Sequence, residues 1–390
     1  MIVKAVTFRL YPTKDQVRRI EKSLDLHREL YNAALQERRD AWEKCKISVS
    51  RYEQQRQIKE VWKDRPDFKE FVSSRSAEDV VLRLDLAFRS FFRRMKAGEK
   101  PGYPRFKNRR SYTSFSISGN KNFKTFTTKN LSIPKIGRVR WRPWCAFPGK
   151  PKLITVKRLP DGYFATVVFE CLDPTPLPKT GKSVGVDLGM TSIVATSDGE
   201  VVPAQKLLVK NERKMRAAHR MVSRRKKGSN RRRKAVALLA RAHQKLARCR
   251  KHFLDGVTKR LVGAYDLIAV EDLSPQKMRR LGGRGARGRG FRRSFKDAAW
   301  GLLLHQLEYK AAWAGRVLVK VDPRGTSQEC SECGERVEKT LRERTHRCPH
   351  CGLSIDRDVN AARNVHQRAL RALRGEGAPS GPSTKREVST

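Results

Sequence analysis

Four cysteines stand in the order Cys330-x2-Cys333-x14-Cys348-x2-Cys351, and they constrain the fold more than any other feature. Each x2 pair can chelate one ion from a tight knuckle, and two knuckles complete a tetrahedron of thiolates around zinc. Gly334 and Gly352 follow the pairs, where such a turn calls for positive φ. Four thiolates leave no open coordination place, so this zinc is expected to be structural and the chemistry to lie elsewhere. His346 and His350 are then expected to neighbour the site or to be exposed. Cys45, Cys145, Cys171 and Cys249 lack knuckle spacing and read as unrelated buried thiols.

The chain has 390 residues, which predicts two or three packed units. Lys and Arg number 87 against 39 Asp and Glu, a formal net charge of +48. Such an excess repels itself and points to a polyanion as a standing partner. A ribosomal or histone-like binder without chemistry is the plain alternative. A membrane-surface protein fits less well, because the basic stretches lack clean amphipathic faces rich in Trp and Phe. A mean hydropathy of -0.66, and no apolar run near the ~20 residues of a spanning helix, argue against an integral membrane protein. Met1 to Val6 lacks the pattern of a signal peptide, so a cytoplasmic location with reduced thiols is expected.

Ile2 to Leu10 alternates as a strand, with Ile2, Val6, Phe8 and Leu10 on one face. Thr13-Lys14-Asp15-Gln16 fits a capping box, and helical spacing runs from there to about Lys96. Lys100-Pro101-Gly102-Tyr103-Pro104-Arg105-Phe106-Lys107 cannot be helical. Short strands follow at Thr113–Ile117, Leu131–Ile133, Val139–Trp141 and Leu153–Val156, and Asp161-Gly162 signals a hairpin into Tyr163–Glu170. These pieces predict a β unit, 1–13 and 98–180, closing as a small barrel and interrupted by a helical insertion, 14–97.

From Ser183 the pattern becomes α/β. Strands are expected at Val184–Leu188, Ser192–Thr196, Val201–Val202, Leu267–Glu271 and Val317–Val321. A long basic helical region is expected over Ala204–Val262 and a helix over Asp297–Trp313. Hairpin strands, a helix, then strand–helix–strand is the order of a ribonuclease H-like fold, here 181–325 and 355–373 with the zinc segment, 326–354, inserted. The Gly-, Pro- and Ser-rich tail, 374–390, is expected to be disordered.

Asp187 and Glu271 each close an otherwise apolar strand. Stability explains such acids poorly, because burying an unpaired carboxylate is costly. On adjacent parallel strands both would emerge at the edge where open α/β sheets place their sites. Asp358 precedes a helix, Val359 to about Leu373, and can aim at the same point; Asp272 and Asp356 are near rivals. Either Asp356 caps that helix and Asp358 serves as ligand, or the reverse. Three converging carboxylates would hold one or two Mg2+ ions, and two ions roughly 4 Å apart activate water and stabilise the leaving oxygen of a phosphodiester.

Arg224-Arg225-Lys226-Lys227-Gly228-Ser229-Asn230-Arg231-Arg232-Arg233-Lys234 is the densest charge run. It is either a solvated helix face or a grip on phosphates that positions without reading sequence. Tyr103, Arg105, Phe106 and Lys107 can stack on bases and pair with phosphates, or pack the β unit. Gly283 to Gly288 matches G-x-G-x-x-G, but no strand precedes it and arginines interleave it. A flexible loop or lid is the better reading there.

Several of these segments together resemble the transposon-encoded TnpB nucleases, which are similar to the compact type V CRISPR effectors. They are Val184-Gly185-Val186-Asp187-Leu188-Gly189, Val270-Glu271-Asp272-Leu273, and Thr326-Ser327-Gln328 before the first cysteine pair. Asp356-Arg357-Asp358-Val359-Asn360-Ala361-Ala362-Arg363-Asn364 completes the set. Gly102 to Lys107 and Ile133-Pro134-Lys135-Ile136-Gly137 add to it, and the resemblance covers nearly the whole chain to about residue 370. It implies an RNA-guided DNA endonuclease of an insertion sequence, with a wedge-like β-barrel, a helical recognition lobe, a RuvC-like nuclease domain and a zinc-binding insertion. Implied partners are a guide RNA from the transposon end and target DNA beside a short motif; protein partners are not implied and a monomer suffices. The catalytic, Mg2+-binding acids carry over to Asp187, Glu271 and Asp358, the last because the family's third acid lies two residues before the Asn of Asn-Ala-Ala. Competing readings are a nuclease-silent guided repressor or transposition accessory, and an unguided resolvase.

Overall fold

The computed structural model describes residues 2–118, 127, 129–143, 145–274, 278, 285–340 and 343–375. Two compact units divide the chain at Asp173/Pro174. The tail beyond Gly375, and Gly283 and Arg284 of the glycine-rich segment, lie outside the described residues.

In the first unit β1 (Ile2–Tyr11) buries Val6, Phe8 and Leu10 and exposes the residues between them. It runs antiparallel to β6 (Gly162–Cys171) from Ile2↔Cys171 to Leu10↔Tyr163, and its far end pairs β4 (Gly137–Arg142). With β2 (Ser114–Ser118), β3 (Asn130–Ile133) and β5 (Lys150–Leu159), the sheet has the order β2-β5-β6-β1-β4-β3. The described pairings leave β2 and β3 at its two ends and do not include the closure of a barrel. Gly162, at φ +140°, makes the β5–β6 turn, a conformation an L side chain rarely adopts.

Between β1 and β2 the chain forms α1 (Lys14–Cys45), α2 (Arg51–Asp64), α3 (Pro66–Phe71) and α4 (Ser74–Lys96). The Thr13/Gln16 capping box is present, and Ser50/Glu53 and Ser73/Ser76 repeat it at α2 and α4. One apolar core joins the sheet's Phe8, Phe115 and Phe169 to Ile20 and Leu35 of α1 and Leu84 of α4. The Pro/Gly segment after α4 has no regular structure. Asn32 anchors it, donating to the Lys107 carbonyl at 3.0 Å and accepting from the Lys107 amide at 2.8 Å. Tyr103 and Phe106 are 44% and 45% exposed, although Tyr103 also sits edge-on to Phe88 and Phe91 at 5.5 and 5.4 Å.

The second unit is built on β7 (Ser183–Asp187), β8 (Ser192–Thr196), β9 (Val201–Pro203), β10 (Leu267–Glu271) and β11 (Val317–Val321), in the order β11-β10-β7-β8-β9. β7, β10 and β11 are parallel; β8 and β9 return antiparallel. The expected basic helical region is broken into α5 (Leu207–Lys210), α6 (Glu212–Ser223) and α7 (Asn230–Ala264), turning at Gly228 (φ +88°). The helix expected over Asp297–Trp313 is α9 (Trp300–Ala314), set off at Ala299 (φ +52°) from a preceding helix, α8 (Gly285–Ala298), that was not expected. The loop expected at the glycine-rich segment is therefore helical from Gly285 onward.

Alternation along the strands sorts the sheet's two faces. Val184, Val186, Ile268 and Val270 pack with α7 and α9, whereas Ala269 and Val321 pack with Val365 and Ala369 of α10 (Arg357–Leu373). Gly185 lies on the α10 side. A Cβ there would stand 2.0 Å from the Ala362 carbonyl oxygen and 2.6 Å from the His366 amide, so backbone meets backbone and only glycine fits. Ala361 and Ala362, 2% and 0% exposed, keep the helix equally close.

Candidate active site

Register brings the acids together. Val186 of β7 is paired with Val270 of β10 in parallel, so Asp187 and Glu271 are the next positions on neighbouring strands. Two residues beyond Gly185 and Ala269 respectively, both point to the α10 face. α10 begins there, and its N-cap settles which acid of Asp356-Arg357-Asp358 is which. Asp356 Oδ1 accepts from the amides of Asp358 at 2.8 Å and Val359 at 3.2 Å. That caps the helix and frees the Asp358 carboxylate to face the sheet. Asp358 is 8% exposed and Glu271 7%; Asp187 is half-buried.

The electrostatics agree. Asp187 is held well above the usual carboxylate range, first by burial and then by the charges of Glu271 and Asp358, against the pull of Arg357 and the Leu188 amide. Glu271 is also raised by burial, opposed by a hydrogen bond from Thr326 and by Arg368. A buried acid whose ionisation is resisted by two neighbouring carboxylates marks an arrangement suited to a hard divalent cation. Their oxygens are not drawn into one tight knot. Among the described residues, only the four cysteines form a cluster whose ligand atoms all lie within 4.8 Å of one another.

Arginines line the acids. Arg344 Nη1 and Arg357 Nε lie 3.8 and 3.7 Å from Asp358 Oδ1, and Arg344 Nη2 donates to Thr191 Oγ1 at 2.9 Å. Trp300 Nε1 donates to the Gly189 carbonyl at 3.1 Å, tying down the loop after Asp187. Sequence reasoning missed Arg344, Thr326 and Trp300 as neighbours of the acids. Only the position of Thr326 beside the first cysteine pair hinted at a role.

The four sulfurs cluster as the spacing predicts. Gly334 and Gly352 have φ of +81° and +76°, and their amides donate back to the Cys330 and Cys348 carbonyls at 2.9 and 3.0 Å, closing the two knuckles. The second knuckle is carried by the hairpin of β12 (Thr345–Arg347) and β13 (Ser354–Asp356). Backbone amides, that of Cys351 first, bring the Cys348 thiol down to about 6. Lys339 Nζ is buried without a hydrogen-bond partner among the described residues. Burial lowers its pKa while Cys330 and Cys348 pull it upward, and an ammonium so placed suits the negative charge of four thiolates on a dication. The donor set fits zinc. His346 is fully buried, both ring nitrogens without partners among the described residues; His350 is exposed. Of the scattered cysteines only Cys171 is buried. Cys145 is half-buried and Cys45 and Cys249 are exposed, because the latter two fall on solvent-facing helix turns.

The basic run spans the turn between α6 and α7 and the first turn of α7, Arg231 to Lys234. Arg232 Nη1 donates to the carbonyls of Val222 and Arg225 at 2.7 and 3.0 Å, and Arg225 Nη1 to that of Arg231 at 2.7 Å. Both are half-buried and lock the turn, whereas Arg224, Lys226, Lys227, Arg231, Arg233 and Lys234 are exposed.

Comparison with known proteins agrees with this architecture. The family profile OrfB_IS605, "Probable transposase", matches residues 166–282. "Cas12f1-like, TNB domain" matches 300–365, and the OrfB_IS605 "Helix-turn-helix domain" matches 1–46, which here is β1 followed by the single helix α1. Two relatives carry the name "Putative RNA-guided DNA endonuclease". One, from Streptomyces pristinaespiralis, is 33% identical over 380 residues, 95% of this chain and 90% of its own. The other, InsQ of Escherichia coli (strain K12), is 29% identical over 324 residues, 80% of this chain and 79% of its own. The solved structure of the mini-RNA-guided endonuclease CRISPR-Cas_phi3 shares the fold at a TM-score of 0.51 and 11% identity, covering 98% of this chain and 94% of that one. The chain belongs to the TnpB (OrfB_IS605) family of RNA-guided DNA endonucleases, an α/β multidomain fold of the type V effector kind. No described helix is long and apolar enough to cross a membrane.

Proposed function

We propose that this protein is an RNA-guided endonuclease of an insertion sequence that cuts DNA complementary to a transposon-end guide RNA, next to a short adjacent motif. The carrying observation is the convergence of Asp187, Glu271 and Asp358 at the C-terminal edge of two parallel strands, each acid partly or wholly buried and Asp187 raised by burial and then by the charge of the other two. In this reading 181–325 and 355–373 form a RuvC-like, ribonuclease H-like nuclease domain. The strand order β11-β10-β7-β8-β9 supports that assignment. Residues 326–354 are its zinc-binding insertion, 1–13 and 98–180 a wedge-like domain, and 14–97 a helical recognition lobe.

Asp187, Glu271 and Asp358 would hold one or two Mg2+ ions. Such ions supply charge to activate a water and to stabilise the leaving oxygen of a phosphodiester. The chain's own residues do the rest. Packing against α10 limits solvent around Glu271 and Asp358, and Asp356 fixes the first turn that aims Asp358. Arg344, half exposed beside Asp358, offers a cation to a phosphate entering the site. Cys330, Cys333, Cys348 and Cys351 hold a structural zinc. The exposed cations between α6 and α7, with Tyr103, Arg105 and Lys107 on the other unit, serve nucleic-acid backbone and bases. Base pairing with the guide, not these contacts, supplies sequence choice.

The test is to purify the protein with its co-purifying RNA, sequence that RNA and challenge the complex with matching DNA. Mg2+-dependent cleavage that is lost in Asp187→Ala is expected. Guide-dependent binding without any cut would instead make it a silent repressor or transposition accessory, and cleavage of branched DNA without RNA a resolvase.

A further inference from the structure

Between β11 and the zinc site the chain forms a strap, residues 322–331, that no regular element contains, apart from a bridge at Glu329. One stripe of α10 side chains grips it. Asn364 Nδ2 donates to the carbonyls of Thr326 and Glu329, both at 2.8 Å. Asn360 Nδ2 donates to the Glu329 carbonyl at 2.7 Å while its Oδ1 accepts from the Ser331 amide at 3.0 Å. Gln367 Nε2 donates to the Ser331 carbonyl at 2.8 Å. Asn360 and Asn364 are 0% and 5% exposed, so their side chains are held away from water, where leaving a partner unmade is costly; Gln367 is exposed.

The strap carries two functional atoms. Cys330 Sγ belongs to the zinc cluster. Four residues earlier, the Thr326 hydroxyl lies 2.5 Å from Glu271 Oε1 and 3.0 Å from the Pro323 carbonyl. It has one proton to give, and a carboxylate oxygen at the shorter distance is the stronger acceptor. Thr326 is 3% exposed.

We propose that Thr326 is a positioning residue for Glu271, held in place by the same α10 clamp that holds the first zinc knuckle, so that the zinc-bearing strap sets the orientation of one acid of the cation site. The inference rests on the assignment of Glu271 to that site. Its consequence is specific. The hydroxyl of Thr326, not its methyl, governs how well the three acids take a divalent ion, and it does so without touching that ion.

The experiment uses the full-length, RNA-loaded protein and Mg2+ alone as probe. The Mg2+-induced rise in melting temperature is measured for the unsubstituted chain, Thr326→Val and Thr326→Ser, with Asp187→Ala as the blank for ions bound by RNA, and zinc content is measured on each. We expect Thr326→Val to need roughly 10- to 100-fold more Mg2+ for half the shift, the usual cost of losing a group that orients a ligand. It should keep its zinc, and Thr326→Ser should restore the response. Three results overturn the inference: an unchanged Mg2+ requirement in Thr326→Val, equal impairment of the Val and Ser variants, or loss of zinc in Thr326→Val. If the unsubstituted chain shows no more shift than the Asp187→Ala blank, the cation site itself fails, and this inference with it.

Discussion

Asp187 costs the fold something that only its function explains. Its carboxyl is raised above the ordinary range by burial and by two neighbouring acids, so the folded state favours the protonated form more than the unfolded state does. The sign follows from linkage: the contribution to stability is intact below the ordinary carboxylate range and is lost as pH rises through the raised value. In a chelator, the protein should therefore lose stability as pH rises from about 4 towards neutrality. Asp187→Asn should remove that loss, raising the melting temperature at pH 7 while abolishing both cleavage and the stabilising effect of Mg2+. Thermal scans across pH, with and without Mg2+, check this. A lower melting temperature for Asp187→Asn in chelator would mean that the carboxylate is stabilising and the site misread.

At the scale of elements, the site depends on how closely α10 lies against β7. Gly185→Ala places a methyl 2.0 Å from the Ala362 carbonyl oxygen. The helix must lift, at a cost of about 1–3 kcal/mol by the usual measure of overpacking, and carry Asp358 away. Denaturant melts and Mg2+ titration should both register it. The α6–α7 turn gives a second contrast. Arg232→Ala should loosen the turn and lower stability, because Arg232 bonds the Val222 and Arg225 carbonyls. Lys226→Gln with Lys227→Gln, both exposed, should leave stability alone and flatten the salt dependence of RNA binding by about one unit for each phosphate no longer neutralised. Equal effects from both variants would refute that division. Much of this scale was legible beforehand: apolar runs closing on acid gave β7 and β10, Thr13 and Gln16 gave the start of α1, and the cysteine spacing gave both knuckles. Gly228-Ser229-Asn230 carried a readable break, with Ser229 capping α7, which the expected helical region ran through; the αL break at Ala299 was not legible. Nor were the Asn360, Asn364 and Thr326 bonds, whose partners lie from 29 to 55 residues away in the chain.

For the whole molecule, a net charge of +48 is hard to reconcile with life as a free protein. The chain should leave a mild purification carrying nucleic acid, release it at high salt, and then melt lower or aggregate; absorbance ratios and scattering read this directly. Binding of a polyanion alone, however, would equally suit a protein that never cuts. The claim that separates the two is that Asp187, Glu271 and Asp358 act as one unit. Cleavage rates of guide-matched DNA by the single and double alanine variants test it most directly. Each single variant should lose at least about 10^3-fold, and each double variant should lose no more than the singles, as expected when residues act together. A rate within a few-fold of the unsubstituted protein for any one of the three, or losses that multiply, would contradict the account.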